Sequence, residues 1–280
     1  MAVINIDTTQ YDAQLNEKEQ RITEQFQRFG VKQLEVFSSE PINYRQRAEF
    51  RVWHDGDDLF HIMFDQQTKD KIRVDTFDPA APLVGEVMQV MIDNLKGCEV
   101  LRRKLFQIDY LSTLSGEILV SLLYHKPLDE NWLTEINALK EKLSSQYKID
   151  FIGRARKQKE KLGDDFVTER LMVNGQELIY QQVENSFTQP NAKVNIKMLE
   201  WAQELCKPLN NDLLELYCGN GNFSIALAGS FNKVLATEIS KSSVHSAQYN
   251  IAQNKVTNLD IIRMSSEEFT QAMKGERTFS

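Results

Sequence analysis

The chain has 280 residues, a formal net charge of −7 and a hydrophobic content of 41%, which is typical of a globular protein with one large or two ordinary domains. Its apolar runs fall short of the about 20 residues of a membrane-spanning helix, and its N-terminus lacks the basic and apolar regions of a signal peptide. Its three cysteines are too few and too widely spaced for a disulfide framework or a metal site. We therefore expect a cytoplasmic protein with reduced thiols and no metal. The acidic balance argues against non-specific binding along nucleic acids, but it leaves open a local RNA-binding surface.

The first 180 residues have the pattern of an antiparallel α+β domain. Residues 8–29 carry apolar side chains at helical spacing, which predicts an amphipathic helix that packs on another element. Residues 43–53 alternate, so we expect a half-exposed strand with Ala48, Phe50 and Val52 on one face. Further strands are predicted at 59–65, 71–77, 105–114 and 117–126, a helix at 129–146, and a strand followed by a basic segment at 149–163.

From about residue 185 the pattern changes to alternating helices and strands. Helices are predicted at 192–205, from the glycine turn to 229, at 242–254 and from 266, and strands at 212–217, 233–238 and 259–264. This order is that of the first half of a doubly wound, Rossmann-like parallel sheet. We therefore predict an α+β domain over residues 1–180 and half of an α/β domain over residues 181–280. Because such sheets normally have five or more strands, we also expect the chain to be a truncated part of a longer protein.

Residues 213–228 read LLELYCGNGNFSIALA, a strand, a glycine-rich turn and a helix. Such a turn lets a ligand approach the backbone at the start of a helix. Glu238 ends the next strand 19 residues after Gly219, where an acid can accept hydrogen bonds from ribose hydroxyls.

The ligand of this turn is either S-adenosylmethionine or a nicotinamide dinucleotide, and a turn without a ligand is also possible. Dinucleotide sites usually have Gly or Ala at the third position of the motif, where this chain has Ser224. Glu215 places an acid just before the turn, which suits a sulfonium cation better than a pyrophosphate. These residues favour S-adenosylmethionine.

Several stretches are similar to one family. ENSFTQPN, LLELYCGNGNFS, VLATEIS and QYNIAQN, with YRQRAEFRVWHDGDD, FDQQTK and KLFQIDYL in the N-terminal part, resemble the bacterial tRNA (uracil-5-)-methyltransferases over nearly the whole chain. The resemblance implies a class I S-adenosylmethionine-dependent methyltransferase domain, incomplete here, preceded by an RNA-binding domain. It also implies methylation of C5 of the T-loop uridine of tRNA, with tmRNA as a second substrate. Iron–sulfur relatives need four thiolates, and this chain has three cysteines.

The family's catalytic residues have no counterpart in this sequence. Its nucleophile lies in a Ser-Cys-Asn-Pro motif, and its carboxylate base lies near the C-terminus; neither that motif nor the family's Asp-Pro-Pro motif occurs here. We therefore expect both catalytic residues beyond residue 280 and a chain that is inactive alone. Cys218 is either a small buried hydrophobe, which is the common role of a free cysteine, or a substitute nucleophile.

The resemblance also assigns cofactor contacts. Gln189 is expected to face the methionine part of the cofactor, Tyr217 and Asn222 to line the turn, and Glu238 to hold the ribose. The alternatives are a helix cap for Gln189, a core aromatic for Tyr217 and a solvated strand end for Glu238.

RNA contacts are predicted on the N-terminal domain. Arg45, Arg47 and Arg51 share one strand face, which suits phosphates, unless they form an ion-paired solvated face. By resemblance, Phe106 and His125 stack on T-loop bases; the alternatives are a core Phe and a surface His.

Three hypotheses follow for the function. The first is an RNA methyltransferase represented by its RNA-binding domain and part of its cofactor domain, and we expect it to be a monomer that binds the tRNA T-arm. The second is a non-catalytic protein that binds or refolds the tRNA elbow. The third, a nicotinamide-dependent dehydrogenase, is disfavoured by Ser224 and by the antiparallel N-terminal domain.

Overall fold

The fold is known from a computed structural model that describes residues 3–4, 6–31, 33–207, 209 and 211–275. The strands are β1 (Val3–Ile4), β2 (Arg47–Asp55), β3 (Asp58–Phe64), β4 (Lys71–Val74), β5 (Thr76–Phe77), β6 (Leu105–Ser112), β7 (Glu117–Tyr124), β8 (Lys148–Ala155), β9 (Gln158–Leu162), β10 (Phe166–Val173), β11 (Gln176–Val183), β12 (Leu213–Leu216), β13 (Val234–Glu238) and β14 (Leu259–Arg263). The α-helices are α1 (Tyr11–Phe26), α2 (Pro82–Lys96), α3 (Glu99–Arg102), α4 (Glu130–Ser144), α5 (Ala192–Cys206), α6 (Asn222–Leu227), α7 (Lys241–Gln253) and α8 (Ser266–Met273).

A seven-stranded mixed sheet forms the first layer of the molecule. Its strand order is β4-β3-β2-β6-β7-β8-β9, and its neighbours are antiparallel except for the parallel pair β7–β8. Ala48, Phe50 and Val52 of β2 are buried, as their alternation predicts, because one face of the sheet packs against α2, α3 and α4. The opposite face is covered in part by β10, where Val167 packs with Leu111, Leu119 and Ile152.

A three-stranded parallel sheet carries the glycine turn. Its order is β12-β13-β14, with Leu216 opposite Thr237 and Glu238 opposite Arg263 in register. Helices α6 and α7 connect these strands, so the predicted Rossmann-like opening is confirmed.

Two elements in the middle of the chain escaped the sequence-based prediction. Helix α2 begins at Pro82, which suits a first helical turn, and it buries Val84, Val87, Met88 and Met91 at helical spacing. The β10–β11 hairpin turns at Asn174–Gly175, both with positive φ, a dipeptide that is a strong hairpin signal. The basic segment predicted after β8 contains a further strand, β9, which pairs antiparallel with β8 and was not predicted.

The β10–β11 hairpin packs on both sheets. Leu171, Val173, Leu178 and Tyr180 are buried in one cluster with the core of the three-stranded sheet, whereas Val167 joins Leu111, Leu119 and Ile152 of the large sheet. The boundary predicted between residues 180 and 181 therefore falls inside β11. We propose instead that the second unit begins before β10, near residue 165.

The sequence pattern misplaced the buried faces of two helices. The helical spacing of the apolar side chains predicts a buried face of α5 made of Val194, Met198, Trp201, Ala202 and Leu205. Trp201 is instead 41% exposed, and α5 buries Ala192, Asn195 and Leu199 because it packs against α6 and β10. Helix α1 forms as predicted, but it buries none of its residues fully, and Phe26 and Phe29 are exposed.

Candidate cofactor and RNA sites

The glycine turn is a run of left-handed backbone between β12 and α6. Gly219 and Gly221 have φ of 58° and 84°, a region that glycine enters without steric cost. A Cβ on Gly221 would lie 3.0 Å from Cδ1 of Ile225. The turn therefore needs glycine both for its dihedral angles and for its close approach to the first turn of α6.

Glu238 lies directly at this turn. One carboxylate oxygen accepts a hydrogen bond from the Gly219 N–H at 3.0 Å, and the other accepts from the Ser240 N–H at 2.8 Å. Both oxygens have further lone pairs, so the carboxylate is held rigidly and can still accept from a ligand hydroxyl. Glu238, which the sequence places 19 residues after Gly219, thus contacts the glycine turn directly.

Tyr217 also has left-handed backbone, with φ of 59°, a conformation that is a genuine outlier for a bulky residue. Its side chain is 65% exposed, and its hydroxyl lies 3.4 Å from Glu267 Oε1 of α8. Exposure excludes the core-aromatic alternative. Strained backbone of this kind is concentrated at functional sites.

Asn222 and Gln189 have different surroundings. The Asn222 amide forms a reciprocal pair with the Asn195 amide of α5, with both N–O distances at 2.9 Å, so it is engaged in helix–helix contact. Gln189 is half-buried and does not cap α5, since the side chain of Asn191 does so. In the part of the chain that the structure describes, the Gln189 amide makes no hydrogen bond.

Glu215 and Cys218 face the protein interior near the turn. Buried Ser224 donates a hydrogen bond to the Glu215 carboxylate, so this acid joins strand to helix, and burial raises its pKa. Cys218 is 4% exposed, and burial, with the neighbouring charges of Glu215 and Glu238, raises the pKa of its thiol to about 12. A thiol in this state is no nucleophile near neutral pH.

An amide network, which was not predicted from the sequence, connects the glycine turn to α7 and β11. Asn250 of α7 is fully buried; its Oδ1 accepts from the Gln181 N–H at 2.7 Å, and its Nδ2 donates to the Asn220 carbonyl at 3.0 Å. Asn220 in turn donates to the Gln181 carbonyl at 3.1 Å. The network couples the glycine turn to β11, and an asparagine within the amphipathic pattern of a helix was its only signal.

A stack of three side chains lies on the large sheet. The rings of Phe106 and His125 are parallel to within 11°, with centroids 3.9 Å apart, and the Arg51 guanidinium carbon lies 5.3 Å from the centre of the Phe106 ring. Phe106 is only partly buried and His125 is exposed. The structure therefore brings together three of the predicted RNA-binding residues, with aromatic faces accessible at the surface.

The other two predicted arginines lie apart from this stack. The Arg47 guanidinium donates to the Ser186 carbonyl at 2.6 Å and pairs with Glu49 at 2.8 Å, which links β2 to the segment before Gln189. Arg45 precedes β2 and bridges through its backbone to Ala80 and Asn191. The contacts of Arg47 are those of the ion-paired alternative, and phosphate binding by Arg45 and Arg47 stays a prediction.

Comparison with known proteins assigns the chain to a family. Residues 10–280 match the sequence profile described as tRNA (Uracil-5-)-methyltransferase. The chain belongs to this family.

Curated relatives share the family's activity in their names. The tRNA/tmRNA (uracil-C(5))-methyltransferase of Pseudoalteromonas translucida is 92% identical over 280 residues, which are 100% of this chain and 76% of that protein. The protein of the same name from Shewanella amazonensis is 61% identical over 275 residues, which are 98% of this chain and 75% of its own length. The chain thus spans about three quarters of these relatives.

A solved structure supports the fold. The Pyrococcus abyssi tRNA (uracil-54, C5)-methyltransferase, in complex with S-adenosyl-L-homocysteine, has a TM-score of 0.64 and 18% sequence identity, and the match covers 90% of this chain and 63% of that one. At this identity the likeness shows a shared methyltransferase fold.

Among the described residues, no helix is long and apolar enough to cross a bilayer. The same residues include no group of three or more His, Cys, Asp or Glu side chains placed to hold a metal ion.

Proposed function

We propose that this chain binds S-adenosylmethionine at the glycine turn and the tRNA T-arm on the large sheet, and that it serves methylation of C5 of the T-loop uridine. tmRNA, which the names of the curated relatives include, is the second proposed substrate. The observation that carries the proposal is the contact between the Glu238 carboxylate and the Gly219 backbone in a chain of this family.

The residues at the turn fit the cofactor. Glu238 would accept hydrogen bonds from the ribose hydroxyls, and the exposed ring of Tyr217 would cover the adenosine. Gln189, whose amide has no partner in the described part of the chain, would bind the methionine moiety. Asn222 would act indirectly, because its amide positions α6 against α5.

The cofactor supplies an electrophilic methyl group, and the uracil must be activated to accept it. In the tRNA (uracil-5-)-methyltransferase family a thiolate adds to C6 of the uracil, and a carboxylate removes the C5 proton after methyl transfer. The burial and raised pKa of Cys218 argue against this role for it. Cys98 lies with its Sγ 3.6 Å from a Glu135 oxygen, between α3 and α4, and Cys206 ends α5. We therefore propose that the 280-residue chain binds both substrates without transferring methyl.

One experiment tests the proposal. The chain is incubated with a T-arm stem-loop RNA and S-adenosylmethionine labelled in its methyl group, and RNA binding, cofactor binding and label in RNA are measured separately. We expect binding of both ligands and no label in RNA. Absence of cofactor binding, or label in RNA, would contradict it.

The non-catalytic reading has support of its own. Cys218 is buried with a raised pKa, and Cys98 and Cys206 lie at the start of α3 and the end of α5, which supports a role in binding or refolding the tRNA elbow as the second candidate. Retention of T-arm RNA by the chain in the absence of S-adenosylmethionine, with no effect of the cofactor on affinity, would favour it.

A further inference from the structure

We infer that the Phe106–His125 stack lies between two cationic banks, which hold the phosphates on either side of an unpaired RNA base. The first bank is Lys126 and Arg156; the second is Arg103 and Lys104. This inference rests on the proposed function, because it assigns the strand path of the RNA at that site.

The two banks line two cavities that share the stack as a common wall. The first cavity, of about 600 Å³, is bordered by Lys126 and Arg156 and has no carboxylate in its lining. The second, of about 530 Å³, is bordered by Arg103 and Lys104. Phe106 and His125 line both cavities, so a chain that crosses the stack enters one cavity and leaves through the other.

Among the described residues, neighbouring basic side chains form ion pairs, whereas cations of the two banks do not. On the β8–β9 hairpin, Arg154 pairs with Glu184, and Lys159 and Lys161 pair with Asp165. Arg156, at the tip of the same hairpin, is exposed and has no ion pair within the described residues. Arg103 and Lys104 are also exposed and without ion pairs in that part of the chain. Of the basic side chains in this segment, Arg154, Lys159 and Lys161 are thus paired, whereas Arg156 keeps its charge free at the first cavity, and Lys157 is exposed outside both cavities.

The second bank is less strongly cationic. Asp57 and Glu99 line its cavity along with Arg102, Arg103 and Lys104. Arg102 is committed to structure, since its guanidinium donates to the carbonyls of Gly56 and Asp57 at 2.9 Å. We therefore expect one phosphate contact at the second bank, through Arg103, and stronger phosphate binding at the first bank.

The banks and the stack are held as one preformed unit. The His125 N–H donates to the Lys104 carbonyl at 2.9 Å, which fixes the second bank to the stack. Lys126 follows His125 directly and is held by a hydrogen bond to the Val100 carbonyl at 2.6 Å. An aromatic platform flanked by fixed cations suits single-stranded RNA, whose bases stack while the backbone follows a positive groove.

Salt dependence of RNA binding tests the inference. Each phosphate contact to a single strand contributes about 0.7 to the slope of log K against log salt. The double variant Arg103→Gln/Arg156→Gln removes one exposed charge from each bank, so we expect the slope to fall by about 1.4 and the affinity for T-arm RNA at 100 mM salt to fall about 25-fold. Each single variant should give half the slope change.

Two controls separate charge, stacking and the proposed function. Lys148→Gln/Lys161→Gln removes the same net charge from lysines paired with Glu117 and Asp165 and should leave the slope within about 0.3 of that of the unmodified chain. His125→Ala should weaken binding without changing the slope. A double variant with the unmodified slope, or a control that changes it equally, would overturn the inference while the proposed function stands. If the unmodified chain does not bind T-arm RNA, or binds polyglutamate as tightly, both are overturned.

Discussion

Glu238 and the two left-handed glycines form the core of the proposed cofactor site. The acid is fixed by two backbone N–H groups, one from the turn and one from the start of α7. A carboxylate held in this way needs no reorganisation when a ligand hydroxyl approaches. The neighbouring Tyr217 accepts a costly backbone conformation at the same place.

Replacing Glu238 by Ala removes both the ribose contact and the anchor of the Gly219 N–H. We expect at least a tenfold loss of S-adenosylmethionine affinity, corresponding to about 1.4 kcal/mol or more, which a charge-assisted hydrogen bond supplies. Isothermal titration of the unmodified and variant chains measures it. Asp260→Ala, an exposed acid on β14, is the matched control, and equal affinities of the Glu238 variant and the unmodified chain would refute the role.

Cys218 should behave as an inert, buried thiol. Because burial raises its pKa to about 12, we expect a disulfide reagent at pH 8 to modify the partly exposed Cys98 and Cys206 and to reach Cys218 only after unfolding. Mass spectrometry of peptides from labelled native and denatured chains checks this. Rapid labelling of Cys218 in the folded chain would restore it as a candidate nucleophile.

Among the elements, the β10–β11 hairpin has the largest part in positioning the sites, since it joins the two sheets. Glu169 of β10 is 1% exposed and accepts a hydrogen bond from the Leu114 N–H, at the β6–β7 turn, at 3.0 Å. Burial raises its pKa from 4.5 to about 7. The folded chain therefore favours the protonated form of this acid.

This shift predicts a pH dependence of stability. Between pH 4.5 and 7 the folded state binds more protons at Glu169 than the unfolded state, so the stability conferred by this group falls as pH rises. The variant Glu169→Gln keeps an acceptor oxygen for Leu114 but cannot ionise. From pH 5 to pH 8 we therefore expect its free energy of unfolding to rise by about 2 to 3 kcal/mol relative to that of the unmodified chain. Urea unfolding at both values measures the difference. The exposed Glu177→Gln is the control, and parallel pH profiles of Glu169→Gln and the unmodified chain would contradict the prediction.

At the scale of the whole molecule, the two proposed binding sites belong to different core clusters. The Phe106–His125 stack lies on the sheet that contributes to the larger cluster, whereas the glycine turn and Cys218 belong to the smaller one. The Asn250 network and the β10–β11 hairpin connect them.

This division predicts separate protection by the two ligands. Saturating S-adenosylmethionine should slow amide hydrogen exchange at residues 217–224 and 238–240, because a ligand at 100 times its dissociation constant stabilises the bound state by about 2.7 kcal/mol. Strand β2 and the Phe106–His125 region should change little until T-arm RNA is added. Exchange measured by mass spectrometry checks both, and equal protection of β2 by the cofactor alone would show that the two clusters unfold as one.

The local patterns were sufficient to predict most of the strands and helices and the glycine turn, but not α2, β9 or the β10–β11 hairpin. Period-two alternation identified β2, and the strand–glycine–helix order with an acid 19 residues on located the cofactor turn, because both signals depend on neighbours in the chain. The resemblance added Phe106 and His125, which periodicity alone could not distinguish from a core Phe and a surface His.

The tertiary structure alone decided which face of α5 is buried, which of the basic side chains keep their charge free, and how α7 supports the turn. Each depends on partners far along the chain: Asn195 is buried because α6 and β10 pack against it, and Lys161 is neutralised by Asp165 while Arg156 is not. The sequence by itself determined where a ligand could approach the backbone. The fold determined which side chains were left free to meet it.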